Sequence, residues 1–278
     1  MKILSELKNN IIASAMNPLS TVEFAHACKN AGFWPSISLF AYKNLKEIQN
    51  AINSCPENTI ISASQNILNM ELYNLKLVEF ISEPNCDIDF CKFVMNKLKE
   101  NSIEIIYKCV RLSSQGKQLI PYADCIELKT PDGAGFVNDD IPIDEQINIV
   151  MNEFKKPYII GGGISTHKQI KNWFDKGAYA IYVGTIISAS YESMMSKNSK
   201  LLLTKVKSKH LSKFKSGQQG LLLSKIDNDN YNHDKSHLYG LLKGNEGHIY
   251  TGKAVDDINE ILPLSQIYSN LTRENYNV

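Results

Sequence analysis

The chain has 278 residues, with 30 Lys and Arg against 29 Asp and Glu, a net charge of +1 and a hydrophobic fraction of 43%. That balance excludes disordered, collagen-like and coiled-coil chains, and proteins that work mainly by charge attraction to nucleic acid or membrane. The length accommodates two modest domains or one (β/α)8 barrel, which needs about 250 residues.

The first 14 residues carry charges and no long apolar stretch, so they do not read as a signal peptide. Eight short β-branched runs follow in order, at 10–15, 34–39, 59–63, 76–81, 104–110, 124–129, 157–160 and 178–183. Helical patterns lie between them at 21–30, 45–53, 87–100, 144–154 and 166–176, and the fifth connection, 112–122, carries the weakest one. Alternating strand and helix implies a parallel sheet, and eight such units imply a closed barrel. Several strands read as continuous apolar runs, as strands covered on both faces should. The expectation is an α/β fold, one domain: a (β/α)8 TIM barrel over about residues 8–190 and a helical covering segment over about 191–278. In that segment 191–214 reads as a helix, with seven Lys between Lys197 and Lys215 read as a solvated face, 227–235 as a polar loop and 256–270 as an amphipathic helix. The longest uncharged run, 177–191, is shorter than the ~20 residues of a membrane span. The six Cys form no C-x-x-C pair, so neither a zinc site nor a disulfide framework is expected. Cys109 and Cys125 read as small core residues. The chain reads as a soluble protein of a reducing, cytoplasmic compartment, with a small-molecule partner and neither nucleic acid nor membrane.

The strongest local signal is PYIIGGGI at 157–164, followed by a helix and then AYAIYVGT at 178–185. In a barrel, Gly161, Gly162 and Gly163 would cap the seventh strand, and Gly184 and Thr185 the eighth. Barrels often bind phosphate with the loops after these two strands. A phosphate takes several hydrogen bonds from backbone N–H groups, and only glycine lets the chain approach closely enough. Ser165 and Thr166 add capping hydroxyls. No P-loop, G-x-G-x-x-G, G-x-S-x-G or H-E-x-x-H pattern is present.

The stretch IIGGGISTHKQIKNWFDKGAYAIYVGTIISAS resembles the FMN-phosphate segment of nitronate monooxygenases, the 2-nitropropane dioxygenase family. IIASAMNPLSTVEFAHACKNAG at 11–32 is similar to that family's first strand and cofactor loop. DCIELKTPDGAGF at 124–136 is similar to its sixth strand and loop, and GHIYTGKAV at 247–255 to the segment that returns over the flavin. FMN-dependent enoyl reductases share these motifs, and inosine-monophosphate dehydrogenase-like barrels share the phosphate part. The resemblance implies an FMN-dependent oxidoreductase with NAD(P)H as a candidate electron donor. It implies that Gly162, Gly163, Tyr182, Val183, Gly184 and Thr185 hold the FMN phosphate, and that Ala15 and Met16 lie along the isoalloxazine edge. Lys129 stands where the family has a Gln, Ala134 where it has a Gly, and Ser64 nearest to an Asn on its third strand.

The sequence departs from the family in the loop after strand 6. The family's Glu–Ala–Gly–Gly–His is here Asp132–Gly133–Ala134–Gly135–Phe136, and Phe cannot take a proton from a neutral nitroalkane. Asp132, Lys129 and His248 are the remaining candidates for catalytic groups, with Asp132 also explicable as a turn residue and His248 as a surface histidine. Lys108, near the end of strand 5, reads as a stem packed on the barrel with its charge exposed. Three other functions stay open: an enoyl reductase, a flavin-free phosphate-binding isomerase or lyase, and a non-catalytic flavin-binding subunit.

Overall fold

The computed structural model describes residues 3–82, 86–109, 112–136, 141–214, 217–223 and 233–273. Its strands run β1 (Ile11–Ala13), β2 (Ser36–Ser38), β3 (Ile60–Ala63), β4 (Leu77–Ile81), β5 (Glu104–Lys108), β6 (Cys125–Lys129), β7 (Gly135–Phe136), β8 (Tyr158–Gly161), β9 (Ala180–Val183), β10 (Leu211–Lys213), β11 (Gln218–Leu222) and β12 (His248–Ile249). The helices are α1 (Ile3–Glu6), α2 (Val22–Ala31), α3 (Leu45–Ser54), α4 (Ile88–Glu100), α5 (Ser114–Leu119), α6 (Ile143–Asn148), α7 (His167–Asp175), α8 (Thr185–Ser188), α9 (Lys197–Leu203), α10 (His233–Lys243) and α11 (Leu264–Thr272).

Eight parallel strands form one sheet in the order β1-β9-β8-β6-β5-β4-β3-β2. The two ends of that order meet through Trp34, just before β2. Its amide donates to the Ile11 carbonyl and its carbonyl accepts from Ala13, both at 2.9 Å. The sheet thereby closes, and the chain is a (β/α)8 TIM barrel. All eight predicted strands are present, although Val110, at the end of the fifth run, lies outside the described residues. The helices begin where side chains cap them: Thr21 accepts from Phe24 N–H, Asp87 from Asp89 and Phe90, and Thr166 forms a reciprocal capping box with Gln169. Between β3 and β4 there is only a 3-10 turn over Gln65–Asn69.

Inside the barrel, alternation along each strand builds two layers. Ile12, Ile60, Leu77, Ile106, Cys125, Ile159 and Ala180 fill the lower one. Ile3, Leu4 and Leu7 plug it from below, and the Leu4 N–H donates to Glu104 Oε2 at 2.8 Å. Leu7 is fully buried at this plug. Leu7→Ala is expected to cost about 3 kcal/mol, the range of buried Leu truncations, read by urea unfolding. A second, larger core packs the helices against the outside of the strands.

The covering segment differs from the helical expectation. The predicted helix at 191–214 is helical only over Lys197–Leu203, and the chain then enters β10. β10, β11 and β12 form an antiparallel sheet, and β7 from the β6 loop joins its edge against Gln218 and Gln219. An extended partner strand recruits the chain where helical periodicity alone suggests a helix. The Lys face is not wholly solvated either: Lys200 is buried and donates to the Ser193 and Tyr191 carbonyls at 2.7 and 3.1 Å. The predicted 227–235 loop lies outside the described residues up to 232, and its end forms the first turn of α10. The predicted helix at 256–270 divides into a 3-10 turn, Lys253–Asp257, and α11. Among the described residues, no helix is long and apolar enough to cross a membrane, and no group of three or more His, Cys, Asp or Glu could hold a metal ion.

Candidate functional site

At the C-terminal mouth of the barrel lies a cavity of about 340 Å³, within the usual range for small-molecule sites, about 300–1,000 Å³. One wall is the loop after β1, with Ala15 and Met16. The opposite wall is the β6–β7 loop, with Ala134 and Phe136. Gly162, Gly163, Gly184 and Thr185 form one end, and residues of the covering segment, among them Met195, Gln218, His237 and Tyr250, lie over the top. The cover is tied to the barrel by Lys253 N–H to the Asp132 carbonyl at 2.8 Å, Gly252 N–H to Thr185 Oγ1 at 3.0 Å and Gln219 Nε2 to the Gly133 carbonyl at 2.9 Å.

The glycines of the cradle are there for different reasons. Gly162 and Gly163 have φ of 102° and 67°, and a Cβ would stand 2.7 Å from Thr130 Oγ1 in the first case and 2.5 Å from Asp132 Cβ in the second. The backbone itself demands glycine at both. Gly184 has an ordinary φ of −126°. A Cβ there would make normal contacts, 3.4 Å to Met16 Sδ and 3.6 Å to Ser14 Cβ. Its missing side chain keeps the cavity end clear. Thr130 holds the β8 loop through its N–H to the Gly161 carbonyl and its Oγ1 to the Gly162 carbonyl, both at 2.9 Å.

The cavity floor is charged. Lys108 Nζ lies 3.2 Å from Glu79 Oε1 and 3.0 Å from Glu127 Oε1, and Ser62 Oγ donates to Glu79 at 2.7 Å. Lys108 also sits 5.7 Å from the centre of the Tyr182 ring. Burial opposes ionisation of Glu79, but the Lys108 charge and hydrogen bonds from its neighbours outweigh it and hold the group below the usual carboxylate range. Glu127 goes the other way: burial, with Glu79 beside it, pushes it up to about 8 against the pull of Lys108. The two carboxyls thus share one proton near neutral pH. Burial opposes the charge on Lys108, and the two carboxylates more than restore it. Lys129 is lowered to about 8 by burial and by Lys108, and its ammonium contacts the Ala134 carbonyl. The Tyr182 hydroxyl is buried beside Glu79 and held protonated by burial and by the two carboxylates.

These shifts fix a pH signature. Between about 4.5 and about 8 the folded chain keeps the Glu127 proton that the unfolded chain loses, so this group's contribution to stability falls as pH rises. Between about 8 and 10.5 the unfolded chain holds the Lys129 proton that the folded chain has lost, so that contribution rises again. Glu127→Gln is expected to remove the falling limb, gaining on the order of 2 kcal/mol over wild type at pH 8 relative to pH 5 in urea titrations.

Of the residues singled out by sequence, Ala15, Met16, Lys129, Ala134, Gly162, Gly163, Tyr182, Gly184 and Thr185 meet at this cavity. Four do not line it. Ser64 is buried behind the end of β3, because the chain turns into the 3-10 segment there. Val183 packs outward into the helix–strand core, since Tyr182 takes the inward position. Asp132 pairs with Lys253 at 3.5 Å and is half-exposed. His248 is fully buried within the cover against Phe214, His237 and Tyr250. Lys108, read as a surface cation, is at the centre of the floor. Glu79, Glu127 and His237 carried no recognised motif. Their available signal was a charged residue two positions after an inward apolar residue in an otherwise apolar strand for the two carboxylates, and none for His237.

The fold and site define a TIM-barrel protein with a glycine cradle at the ends of β8 and β9 and a buried charge cluster beneath it. No family model matches the chain. Among solved structures it is similar to FabK from Thermotoga maritima, with TM-score 0.79 and 19% identity over 96% of this chain and 93% of that one. It is also similar to nitroalkane oxidase from Streptomyces ansochromogenes, with TM-score 0.66 and 14% identity over 96% of each chain. The enoyl reductase domain of MlnA from Bacillus amyloliquefaciens gives TM-score 0.67 and 14% identity, over 96% and 94%. A curated protein of Malacoplasma penetrans, "Putative N-acetylmannosamine-6-phosphate 2-epimerase", is 25% identical over 223 residues, covering 68% of this chain and 94% of that protein.

Proposed function

We propose that the protein is an FMN-dependent oxidoreductase of the nitronate monooxygenase type, with an altered proton-transfer apparatus. The observation that carries this reading is the convergence of Gly162, Gly163, Gly184 and Thr185 at one end of a cavity whose walls are the β1 and β6 loops. The clear space at Gly184, which lines the cavity end, suits a phosphate-bearing group. The fold shared with FabK, nitroalkane oxidase and the enoyl reductase domain supports it.

Bound FMN would supply two-electron transfer, with electrons entering from NAD(P)H or from an organic substrate. Backbone N–H groups of Gly162, Gly163, Gly184 and Thr185 would hold its phosphate, with the Tyr182–Val183 backbone in support. Ala15 and Met16 would border its ring through main-chain groups. Lys129 would supply positive charge to a bound anionic group. The covering segment excludes water. Phe136 takes up no proton, so turnover of nitroalkanes is expected to be weak or absent. The test is reconstitution: the purified chain mixed with FMN and desalted is expected to stay yellow at about one FMN per chain. A colourless protein would refute the reading.

One observation favours a second reading, a flavin-free isomerase acting on a phosphorylated sugar. Glu127 retains a proton at the floor of the same cavity, and Lys129, lowered to about 8, also lines it, so an acid and a group able to give up its proton face one space, as epimerisation needs. The similarity to the Malacoplasma penetrans protein points the same way. A chain that refuses FMN but binds a hexosamine 6-phosphate would favour it.

A further inference from the structure

Two lysines line the cavity floor, and they are held in opposite ways. Lys108 is paired with two carboxylates, which keep it charged. Lys129, at the end of β6, meets a backbone carbonyl instead, that of Ala134. In the β6–β8 register Lys129 stands opposite Gly161, so the next residue of β8's loop is Gly162, the first glycine of the cradle. Paired strands lie about 4.8 Å apart. A small ligand anchored in the cradle therefore extends along the side of the cavity that Lys129 lines.

The loop after β6 is shaped around this side chain. A Cβ at Gly133 would stand 2.5 Å from Lys129 Cε and 3.0 Å from its Cγ, so glycine is what clears the stem. The contact with Ala134 uses an N–H of the lysine, and in the uncharged amine it leaves the lone pair free. Burial and the positive charge of Lys108 lower Lys129 to about 8, against the pull of Glu127 and Glu79. At neutral pH a far larger share of it is uncharged than of an ordinary lysine. A desolvated lysine beside a second cation has the properties of an amine nucleophile. Glu127, two residues earlier on the same strand, lines the same cavity and retains a proton in this pH range.

We propose that Lys129 is a covalent site for a small phosphorylated aldehyde or ketone, whose phosphate seats in the cradle of Gly162, Gly163 and Gly184 and whose carbonyl carbon bonds to the lysine nitrogen. The nitrogen lone pair attacks the carbonyl carbon, and the C=O bond opens towards oxygen. Two protons pass from nitrogen to that oxygen, with Glu127 as the relay, and the oxygen leaves as water. A C=N bond remains, and nothing is oxidised or reduced. The imine acidifies the C–H of the adjacent carbon, the step from which isomerisation or cleavage of such compounds starts. This inference goes beyond the FMN reading and shares with it only the phosphate cradle, so the chain holds one of the two ligands at a time.

The test uses the full chain, freed of flavin, with dihydroxyacetone phosphate as the probe and borohydride to reduce the imine to a secondary amine. The intact mass is expected to rise by the mass of the probe less one oxygen, at about one probe per chain, and peptide mapping to place it on Lys129. Lys129→Arg, which keeps the charge, and Lys129→Met should each incorporate less than about a tenth as much. Dihydroxyacetone, which lacks the phosphate, should label the wild type at least about tenfold less, and so should the phosphorylated probe when FMN is added first. No label, a label spread over surface lysines, or equal labelling by the two probes overturns the assignment, and all three are read on the wild type, whatever the variants do. Labelling undiminished at full FMN occupancy overturns the shared cradle. A chain that binds FMN but is not labelled when freed of it overturns the Lys129 assignment alone. A chain labelled at Lys129 that takes up no FMN overturns the cofactor reading alone.

Discussion

Lys108→Met is expected to lower the stability of the protein by about 3–5 kcal/mol at neutral pH. The lysine bridges Glu79 on β4 and Glu127 on β6, and both carboxyls are buried in the barrel. Removing it leaves Glu79 charged in a low-dielectric interior with only neutral hydrogen-bond donors, Ser62 among them, around it. Its low pKa depends on the lysine, so it must either take up a proton or stay uncompensated. The loss should shrink in acid, where both carboxyls are protonated in any case. It should also be largely recovered in the triple variant Lys108→Met, Glu79→Gln, Glu127→Gln, because no buried charge is then orphaned. Urea unfolding of the single and triple variants at two pH values reads this directly. A single variant within about 1 kcal/mol of wild type would mean that water reaches the cluster.

Gly184→Val is expected to weaken FMN binding by at least about 100-fold, equivalent to about 2.7 kcal/mol, while the fold survives. The position has an ordinary φ, and a Cβ would meet only Met16 and Ser14 at normal contact distances. The two valine methyls extend further, into the end of the cavity. Gly163 makes a poor comparison: its positive φ and the 2.5 Å approach to Asp132 mean that a side chain there strains the loop as well as blocking it. Fluorescence titration with FMN and thermal melting of the same sample separate occupancy from stability.

The barrel was legible because parallel strands covered on both faces read as apolar runs, and because Gly177 and the 161–163 triplet punctuate the last units. The inner polar layer was not. Glu79, Lys108 and Glu127 each sit two residues beyond an inward apolar residue, Leu77, Ile106 and Cys125. One strand alone does not reveal which charges of its neighbours it will meet. Lys108 therefore looked like a surface cation until closure put it between two carboxyls. The cover was misread because β10 and β11 are held by each other and by the two-residue β7, pairing that no local periodicity encodes. His248 drew attention as the histidine of the returning segment, yet β12 turns Ile249 to the cavity and leaves His248 behind it. His237, on a helix of weak pattern, reaches the site only because Gly240 lets α10 close onto β12.

The central claim is that this cavity holds FMN. The most direct measurement is the visible spectrum of the purified, FMN-reconstituted and desalted protein, followed by identification of the chromophore released on denaturation. The account predicts a flavin spectrum, FMN as the released species at about one per chain, and a colourless Gly184→Val protein with a thermal midpoint close to that of wild type. A colourless wild type, or a Gly184→Val protein as yellow as wild type, would contradict it.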